Sequence, residues 1–306
     1  MNTMLFVGNR VGFEVLNYLT NTNITVSCVF VDDEHSHELE RWYEKIINLC
    51  IKLNIPYYRN HSTTDLVVIQ EHKIDFIFCF GFRRLIPKEV LAKAKFAACS
   101  THFSLLPKYR GFAPVNWAII NGEDKCGVSL FHMEAEADSG DIVAQKEIKI
   151  SDKEYVSDVM VKCIDALKLI LIDEWPKFKK GQVPRIKQDH SKATYTCSRN
   201  PEDGLINWND STKNIYNLIR GTSKPFPGAY TLLNSEKLTI WRATPVEVGM
   251  YVGRIPGKVI QLHKNEGVVV LTGDGAIRLE EVQLIHEEES VRADILIKSV
   301  RITLGR

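Results

Sequence analysis

Short apolar runs alternate with helical patterns over the first 150 residues, and this alternation most constrains the fold. Strands that alternate with helices predict right-handed βαβ units and a mostly parallel, Rossmann-like sheet. The predicted strands are 4–7, 25–31, 75–80, 97–101, 128–133 and 142–150. The predicted helices are 12–19, 37–53, 64–72, 87–94, 114–121 and 156–179.

The composition and the hydrophobic pattern of the sequence change after the last of these helices. A polar stretch with glycine, proline and basic residues is typical of a linker, and short β-rich runs separated by turn signals follow it. These runs predict a small β-rich domain, an OB-like barrel or sheet, with one helix over 212–220. We therefore expect a catalytic domain at 1–180, a linker at 181–203 and a C-terminal domain at 204–306.

Composition excludes several classes of protein. The 306 residues carry 39 basic and 38 acidic side chains, a net charge of +1, which argues against a dedicated nucleic-acid binder. The longest apolar runs fall short of ~18 residues, and the first residues lack a cationic region, so we expect neither a transmembrane helix nor a signal peptide.

The seven cysteines are odd in number and widely spaced, without a Cys-x-x-Cys pair. This pattern favours a reduced, cytoplasmic protein with buried thiols over a disulfide framework or a zinc site. His35 and His37 lack further ligand residues nearby, so no metal is expected.

The first strand is followed by Gly8-Asn-Arg-Val-Gly12, at the point where a dinucleotide-binding fold places Gly-x-Gly-x-x-Gly. Only two glycines are present, and their spacing differs from that motif, which argues against binding of NAD or FAD. Asn9 and Arg10 at a helix N-terminus suit an anion such as a phosphate. A plain strand-to-helix turn remains an equal alternative.

Two polar segments carry candidate catalytic residues. His102 follows a predicted strand at its carboxyl end, where open α/β sheets bind ligands, and Asp138 lies in the loop after the strand at 128–133. If these two strands are neighbours, the two side chains meet. A carboxylate beside an imidazole favours the protonated form of the imidazole and fixes the tautomer of its neutral form. A general base that works near neutral pH requires both effects.

The residues His-Phe-Ser-Leu-Leu-Pro-Lys-Tyr-Arg-Gly at 102–111, followed by Asp-Ser-Gly-Asp at 138–141, resemble the 10-formyltetrahydrofolate-dependent formyltransferases. The segments 199–208 and 219–229 are similar to the amino-sugar branch of that family, including the domain that formylates UDP-4-amino-4-deoxy-arabinose. The resemblance extends from about residue 4 to about residue 285.

The resemblance implies roles for particular residues. His102 would be the general base, Asp138 would orient it, and Ser100 stands where the family has an asparagine that hydrogen-bonds the formyl oxygen. 10-Formyltetrahydrofolate would be the formyl donor, bound largely through backbone groups, although ordinary packing explains Leu85 and Ile86 equally well. The residues expected at the folate are Arg84, Leu85, Ile86, Glu134, Ala135, Glu136, Ala137 and Asp138.

The substrate would then be a nucleotide-activated amino sugar. Phe112 replaces an arginine of the relative, so an aromatic ring is available to stack on a base or line a sugar pocket. The residues expected at this substrate are Asn9, Arg10, Tyr109, Arg110 and Phe112. The sequence leaves open whether the protein forms a homodimer.

Two alternatives remain open at the level of sequence. A methionyl-tRNA formyltransferase needs a basic surface, and residues 204–306 carry 13 basic against 11 acidic side chains, a net charge of only +2. Because Ser100 departs from the family pattern, a catalytically impaired homologue that binds folate or a sugar nucleotide is the second alternative.

Overall fold

The computed structural model describes residues 1–22, 24–32, 41–59, 69 and 73–306. They form two compact units, of which the first comprises Met1–Pro114, Lys125–Lys149 and Met160–Cys197. The second comprises Val115–Asp124, Ile150–Val159 and Ser198–Arg306. The division predicted from the sequence, 1–180, 181–203 and 204–306, remains a prediction. The helix expected over 64–72, apart from residue 69, and the pair His35 and His37 lie outside the described residues.

A seven-stranded sheet forms the centre of the first unit. Its order is β3-β2-β1-β4-β5-β7-β8, with the first five strands parallel and the last two antiparallel to their neighbours. This confirms the α/β class and the mostly parallel sheet. The strands are β1 (Asn2–Val7), β2 (Thr25–Val31), β3 (Tyr57–Arg59), β4 (Phe76–Phe80), β5 (Ala97–His102), β7 (Lys125–His132) and β8 (Ile142–Lys149).

The central strands are continuous apolar runs because both faces of the sheet are covered. All five residues of β4 are buried, and Phe76 and Phe78 stack against Phe178 with ring centroids 5.4 and 5.9 Å away. Burial of a phenylalanine side chain contributes about 1.5–3 kcal/mol, so these rings fix a helix end on the sheet.

Helices connect the strands and have apolar faces at helical spacing. The first helix buries Val11, Val15, Leu16 and Leu19, a stripe of the kind that packs on a sheet. No described helix combines the length and the apolar composition needed to cross a membrane. The helices are α1 (Asn9–Thr20), α2 (Trp42–Lys52), α3 (Lys88–Leu91), α4 (Pro114–Ile120), α5 (Val156–Phe178), α6 (Thr212–Thr222) and α7 (Ala293–Leu296).

The second unit contains an antiparallel sheet, which confirms the β-rich C-terminal domain. Its order is β10-β11-β14-β13-β12, and β15 pairs with β14. Ser211 caps α6 by accepting a hydrogen bond from the amide of Asn214, and Ile215 and Ile219 of that helix join the apolar core. These strands are β10 (Ala229–Leu233), β11 (Glu236–Val246), β12 (Val259–His263), β13 (Gly267–Leu271), β14 (Ala276–Leu284) and β15 (Val291–Arg292).

Six of the seven cysteines are buried, and Cys197 is exposed. Burial raises the pKa of Cys28 and of Cys50 to about 12, and that of Cys79 to about 11. Since the thiolate is the reactive form, buried thiols of this kind are inert in the folded protein.

We expect an aromatic disulfide reagent at pH 8 to label one thiol per chain in the native protein and all seven after unfolding. Cys197→Ser should remove the fast phase and leave the slow phases unchanged. Fast labelling of two or more thiols in the native protein would contradict this assignment of burial.

Candidate active site

The candidate site begins with His102, the last residue of β5, whose side chain is 8% exposed. Its Nε2 atom lies 2.6 Å from the backbone carbonyl oxygen of Tyr109. A carbonyl oxygen can only accept a hydrogen bond, so Nε2 carries a proton and donates it. Tyr109 has a left-handed backbone with φ of 58°. That conformation aims its carbonyl at the imidazole.

Asp138 lies on the other side of the same ring. Its Oδ1 atom is 3.6 Å from Nδ1 of His102, and its Oδ2 atom accepts a hydrogen bond of 2.9 Å from the amide of Gly111. The φ angle of Asp138 is 55°, a left-handed conformation that aspartate tolerates better than most residues. The structure therefore brings together the two residues that the sequence singled out.

The route by which they meet differs from a simple strand-end arrangement. Strand β7 runs antiparallel to β5, so its last residue, His132, pairs with Cys99, and His102 pairs with Ser129. The loop over 133–141 therefore has to return toward His102 to bring Asp138 to the ring.

The arrangement is suited to accepting a proton. With Nε2–H donated to the Tyr109 carbonyl, the neutral ring has its lone pair at Nδ1, which faces the carboxylate of Asp138. A proton that arrives at Nδ1 converts this unfavourable approach into an ion pair. The geometry thus supports a general base whose proton-accepting atom is Nδ1.

Ser100 precedes His102 by two residues on the same strand, so both side chains point to one face of the sheet. A strand rises about 3.3 Å per residue, which separates the two residues by roughly 6.6 Å. The Ser100 hydroxyl donates a hydrogen bond of 3.3 Å to the carbonyl of Cys79. A rotation of the hydroxyl about its own bonds can redirect the donor.

The segment expected at the folate is the irregular loop after β4. Nε of Arg84 lies 3.0 Å from the Asp32 carboxylate, while Leu85 is 86% exposed. Ile86 is buried in the apolar cluster of the sheet, so packing accounts for that residue. The roles of Arg84 and Leu85 in folate binding remain predictions.

The second segment expected at the folate follows β7. Glu134, Ala135, Glu136 and Ala137 are exposed, and Ser139 closes the turn through a hydrogen bond to the Glu136 carbonyl. An exposed loop that begins at the sheet and contains Asp138 remains available to a ligand.

Of the residues expected at the substrate, two are turned inward. Asn9 has φ of 49°, accepts from the amide of Val11 and donates to the Gly81 carbonyl, so it shapes the turn into α1. Arg110 is only 2% exposed, and its guanidinium lies among protein groups.

The remaining three substrate candidates are exposed or half-buried. Phe112 is 61% exposed, Tyr109 is half-buried, and the guanidinium of Arg10 lies 5.9 Å from the ring centroid of Trp42. Contact of any of these residues with a substrate remains a prediction.

Sequence reasoning missed the part played by residues 188–196, which it treated as a linker. Strand β9 (Tyr195–Thr196) pairs with β6 (Arg110–Gly111), and Gln188 donates to the carbonyl of Asp138. The only sequence signal was the β-branched and aromatic run at 194–196, too short to indicate a strand.

The charges that flank the loop are paired. Asp141 accepts a hydrogen bond of 3.0 Å from Lys187, which, with Arg185, holds the pKa of that carboxyl below its usual value.

His132 is buried, and burial lowers the pKa of its imidazole. Its Nε2 atom lies 2.9 Å from the carbonyl of Pro184, as a neutral ring that donates from Nε2 requires.

Comparison with known proteins identifies the family. The formyl transferase family model matches residues 14–174, and the model of the formyl transferase C-terminal domain matches residues 199–298. The chain therefore belongs to the formyl transferase family.

Three solved structures share the fold at identities below 25%. The N-formyltransferase from Helicobacter canadensis, solved with folinic acid and dTDP-3-aminofucose, is 18% identical with a TM-score of 0.69, covering 91% of this chain and 99% of that one. HypX from Aquifex aeolicus, in complex with tetrahydrofolic acid, is 19% identical with a TM-score of 0.69, covering 97% of this chain and 47% of that one. This chain thus spans about half the length of HypX.

The third is the methionyl-tRNA formyltransferase from Clostridium thermocellum, which is 17% identical with a TM-score of 0.55 and covers 94% of this chain and 100% of that one. These likenesses establish a common fold.

His132 gives the folded protein a defined response to acid. Its pKa is 6.5 in an unfolded chain and lower in the folded protein, so below pH 6.5 the unfolded chain takes up a proton that the folded protein does not. Stability that is fully present above pH 6.5 is therefore lost as the pH falls toward the folded pKa.

We expect His132→Gln, which keeps a donor for the Pro184 carbonyl, to flatten the fall of Tm between pH 7.5 and 5. Calorimetry of variant and wild type at matched pH values measures the difference. Parallel curves for the two proteins would contradict a buried neutral imidazole.

Proposed function

We propose that this chain transfers a formyl group from 10-formyltetrahydrofolate to the primary amine of a nucleotide-linked amino sugar. The observation that carries the proposal is the His102–Asp138 pair with Ser100 on the same face of β5. Membership of the formyl transferase family supports the reaction class. The folate and dTDP-aminofucose in a protein of the same fold support the choice of donor and acceptor.

The surroundings of the pair fit a folate. The loop with Arg84 and Leu85 follows β4, and β4 is the direct neighbour of β5, so a pterin at this loop would lie next to Ser100 and His102. Leu85 offers an exposed apolar side chain, and the loop 134–138 offers exposed backbone groups. The bound folate supplies the electrophilic formyl carbon as a co-substrate.

His102 accepts the proton of the acceptor amine, and Asp138 stabilises the protonated ring. As the amine attacks the formyl carbon and the new C–N bond forms, the nitrogen becomes acidic and His102 accepts its proton at Nδ1. Asp138 stabilises the resulting imidazolium, and the Tyr109 carbonyl keeps its hydrogen bond from Nε2. The proton returns to N10 of folate when the old C–N bond breaks, so tetrahydrofolate leaves as a neutral amine.

Ser100 stabilises the charge that develops on the formyl oxygen. Its hydroxyl turns away from the Cys79 carbonyl, a neutral acceptor, toward an oxygen that is becoming anionic. A preorganised donor at such an oxygen contributes about 2.7–4 kcal/mol to the transition state. A serine has one such donor and a shorter reach than an asparagine amide.

Phe112 and Tyr109 contribute to binding of the sugar nucleotide. Phe112 is exposed and directly follows the turn at Gly111, whose amide binds Asp138, so its ring lies close in sequence to the catalytic pair. An aromatic ring there stacks on a base or sugar and provides no charge for a phosphate. The anionic diphosphate is assigned to Arg10 at the start of α1, and Asn9 contributes by shaping the turn that presents Arg10. Arg110 completes the proposed set as a residue that shapes this region from within.

We expect His102→Ala and Asp138→Ala each to lower formyl transfer by at least about 100-fold, since each removes the general base or the charge that stabilises its protonated form. Release of tetrahydrofolate with an amino-sugar nucleotide, such as dTDP-3-aminofucose, measures the rate. His286→Ala, a change at an exposed histidine of the second unit, is the matched control and should be silent.

A His102→Ala protein that has wild-type Tm and near-normal turnover would refute the assignment of the base. The acceptor is tested in the same assay with a panel of amino-sugar nucleotides and with methionyl-tRNA. If the protein formylates only methionyl-tRNA, and its binding of tRNA weakens steeply as salt is added, then methionyl-tRNA is the acceptor and the sugar nucleotide is not.

Ser100 gives a second, independent prediction. Ser100→Ala should lower kcat more than it changes KM, because the hydrogen bond strengthens only as charge develops, with an upper limit near 2.7–4 kcal/mol. Ser100→Asn should keep or raise kcat, since the longer amide reaches the same oxygen. Steady-state kinetics of both variants measure this.

Two outcomes at Ser100 would change the account. If wild type is inert and Ser100→Asn restores transfer, the natural protein is a binding homologue with an intact site. If Ser100→Ala is as active as wild type, another donor stabilises the oxyanion.

A further inference from the structure

Residues 188–196, called the strap here, contact the backbone of both residues that flank the imidazole of His102. The strap belongs to the first unit and includes β9. One of its ends contacts the loop that contains Asp138, and the other contacts the turn that contains Tyr109. Both partners of the proposed base are thus fixed by one short segment.

At the Asp138 end the contacting residue is Gln188, which is 6% exposed. Its Nε2 atom donates to the carbonyl oxygens of Asp138 at 2.9 Å and Gly140 at 2.7 Å, and its Oε1 atom accepts from Nη2 of Arg110 at 2.7 Å. Every polar atom of this amide is therefore used. The two donated bonds hold the loop on either side of Ser139, which fixes the left-handed backbone of Asp138.

At the Tyr109 end the contacting residue is Thr194. Its Oγ1 atom accepts from the amide of Tyr109 at 2.8 Å, and its carbonyl accepts from the amide of Arg110 at 2.8 Å. The second bond holds the peptide unit whose carbonyl receives the proton of His102 Nε2. The N–H and C=O of a trans peptide point in opposite directions, so the backbone carbonyl of Thr194 sets the direction of that carbonyl. The Thr194 hydroxyl holds the preceding amide, on the other side of the Tyr109 Cα, and this is the contact that a substitution can remove.

Arg110 connects the two ends. Its buried guanidinium donates to Gln188 and approaches Nδ1 of His190 at 3.0 Å and the hydroxyl of Tyr195 at 3.4 Å. Burial of a guanidinium is costly unless its donors are used. Three strap residues lie within hydrogen-bond distance of its Nη atoms, while its Nε has no hydrogen-bond partner among the described residues. The arginine therefore keeps the strap in register with both the Tyr109 turn and the Asp138 loop.

We propose that Gln188 and Thr194 are positioning residues, which hold the Asp138 carboxylate and the Tyr109 carbonyl so that His102 keeps its proton on Nε2 and accepts the substrate proton at Nδ1. The proposal rests on the proposed function, because it assigns to these residues an effect on that base. Neither residue touches the reacting atoms, and each acts through a group on His102.

Thr194→Val removes the hydroxyl at nearly constant shape, and Gln188→Met removes the amide at similar length. We expect each variant to lower kcat by at least about tenfold, below the ~100-fold that a 1 Å misplacement can cause, with both KM values within twofold of wild type. Thr194→Ser, which retains Oγ1, should restore kcat to within twofold of wild type. Ser191→Ala is the matched control, since the Ser191 hydroxyl donates a hydrogen bond within the strap, to Asp189.

Gln188→Glu provides a second variant if Gln188→Met fails to fold, because it keeps the acceptor for Arg110 and removes both donors to the loop. It should lower kcat like Gln188→Met. A loss of kcat in His102→Ala combined with full kcat in Thr194→Val and in both Gln188 variants would overturn the positioning roles and leave the proposed function standing. Full turnover in His102→Ala would instead overturn the proposed function.

Crystal structures of Thr194→Val and Gln188→Met give a readout that needs no turnover. We expect the Nε2–carbonyl distance to lengthen in the first variant and the Nδ1–carboxylate distance in the second, from 2.6 and 3.6 Å respectively. An unchanged imidazole, with unchanged partners in both variants, would overturn the proposal whatever the kinetics.

Discussion

The imidazole of His102 lies between two acceptors, and the rest of the site depends on this arrangement. The Tyr109 carbonyl holds a proton on Nε2, and the Asp138 carboxylate faces Nδ1. The ring is mostly buried, so water screens these interactions poorly and small displacements have large electrostatic effects. Two residues with left-handed backbones aim the acceptors, which makes the geometry a property of the turns as much as of the side chains.

The sheet explains why such a site can form beside the loop proposed to bind folate. The strand order reverses between β1 and β4, and open α/β sheets bind ligands outside the carboxyl ends of their strands near such a point. The loop with Arg84 follows β4, and His102 ends the next strand. The antiparallel pair β7 and β8 then extends the sheet and supplies the Asp138 loop, so one sheet supports both the proposed donor site and the proposed base.

Much of the fold could be predicted because buried parallel strands are apolar throughout. Strand β2 was expected over 25–31 and is found at Thr25–Val31, and β4 differs from its expected bounds by one residue. Strand β3 was missed because three residues, half-buried or exposed, give no periodic signal. The direction of β7 could not be read either, since an apolar run looks the same in a parallel and an antiparallel pair.

The candidate site was predictable only where side chains carry the signal. The sequence indicated His102 and Asp138, and the structure brings them to 3.6 Å. The carbonyl of Tyr109 and the amide of Gly111 act through the backbone, and backbone groups are the same in every residue. Gln188 and Thr194 were assigned to a linker because their polar surroundings resemble one, and only the pairing of β6 with β9 brings them to the site.

A crystal structure with 5-formyltetrahydrofolate and a nucleotide-linked amino sugar tests the central claim most directly. We predict a formyl oxygen about 3 Å from the Ser100 hydroxyl and an acceptor amine about 3–3.5 Å from the formyl carbon, on the Nδ1 side of His102. A formyl group bound at another edge of the sheet, away from Ser100 and His102, would contradict it.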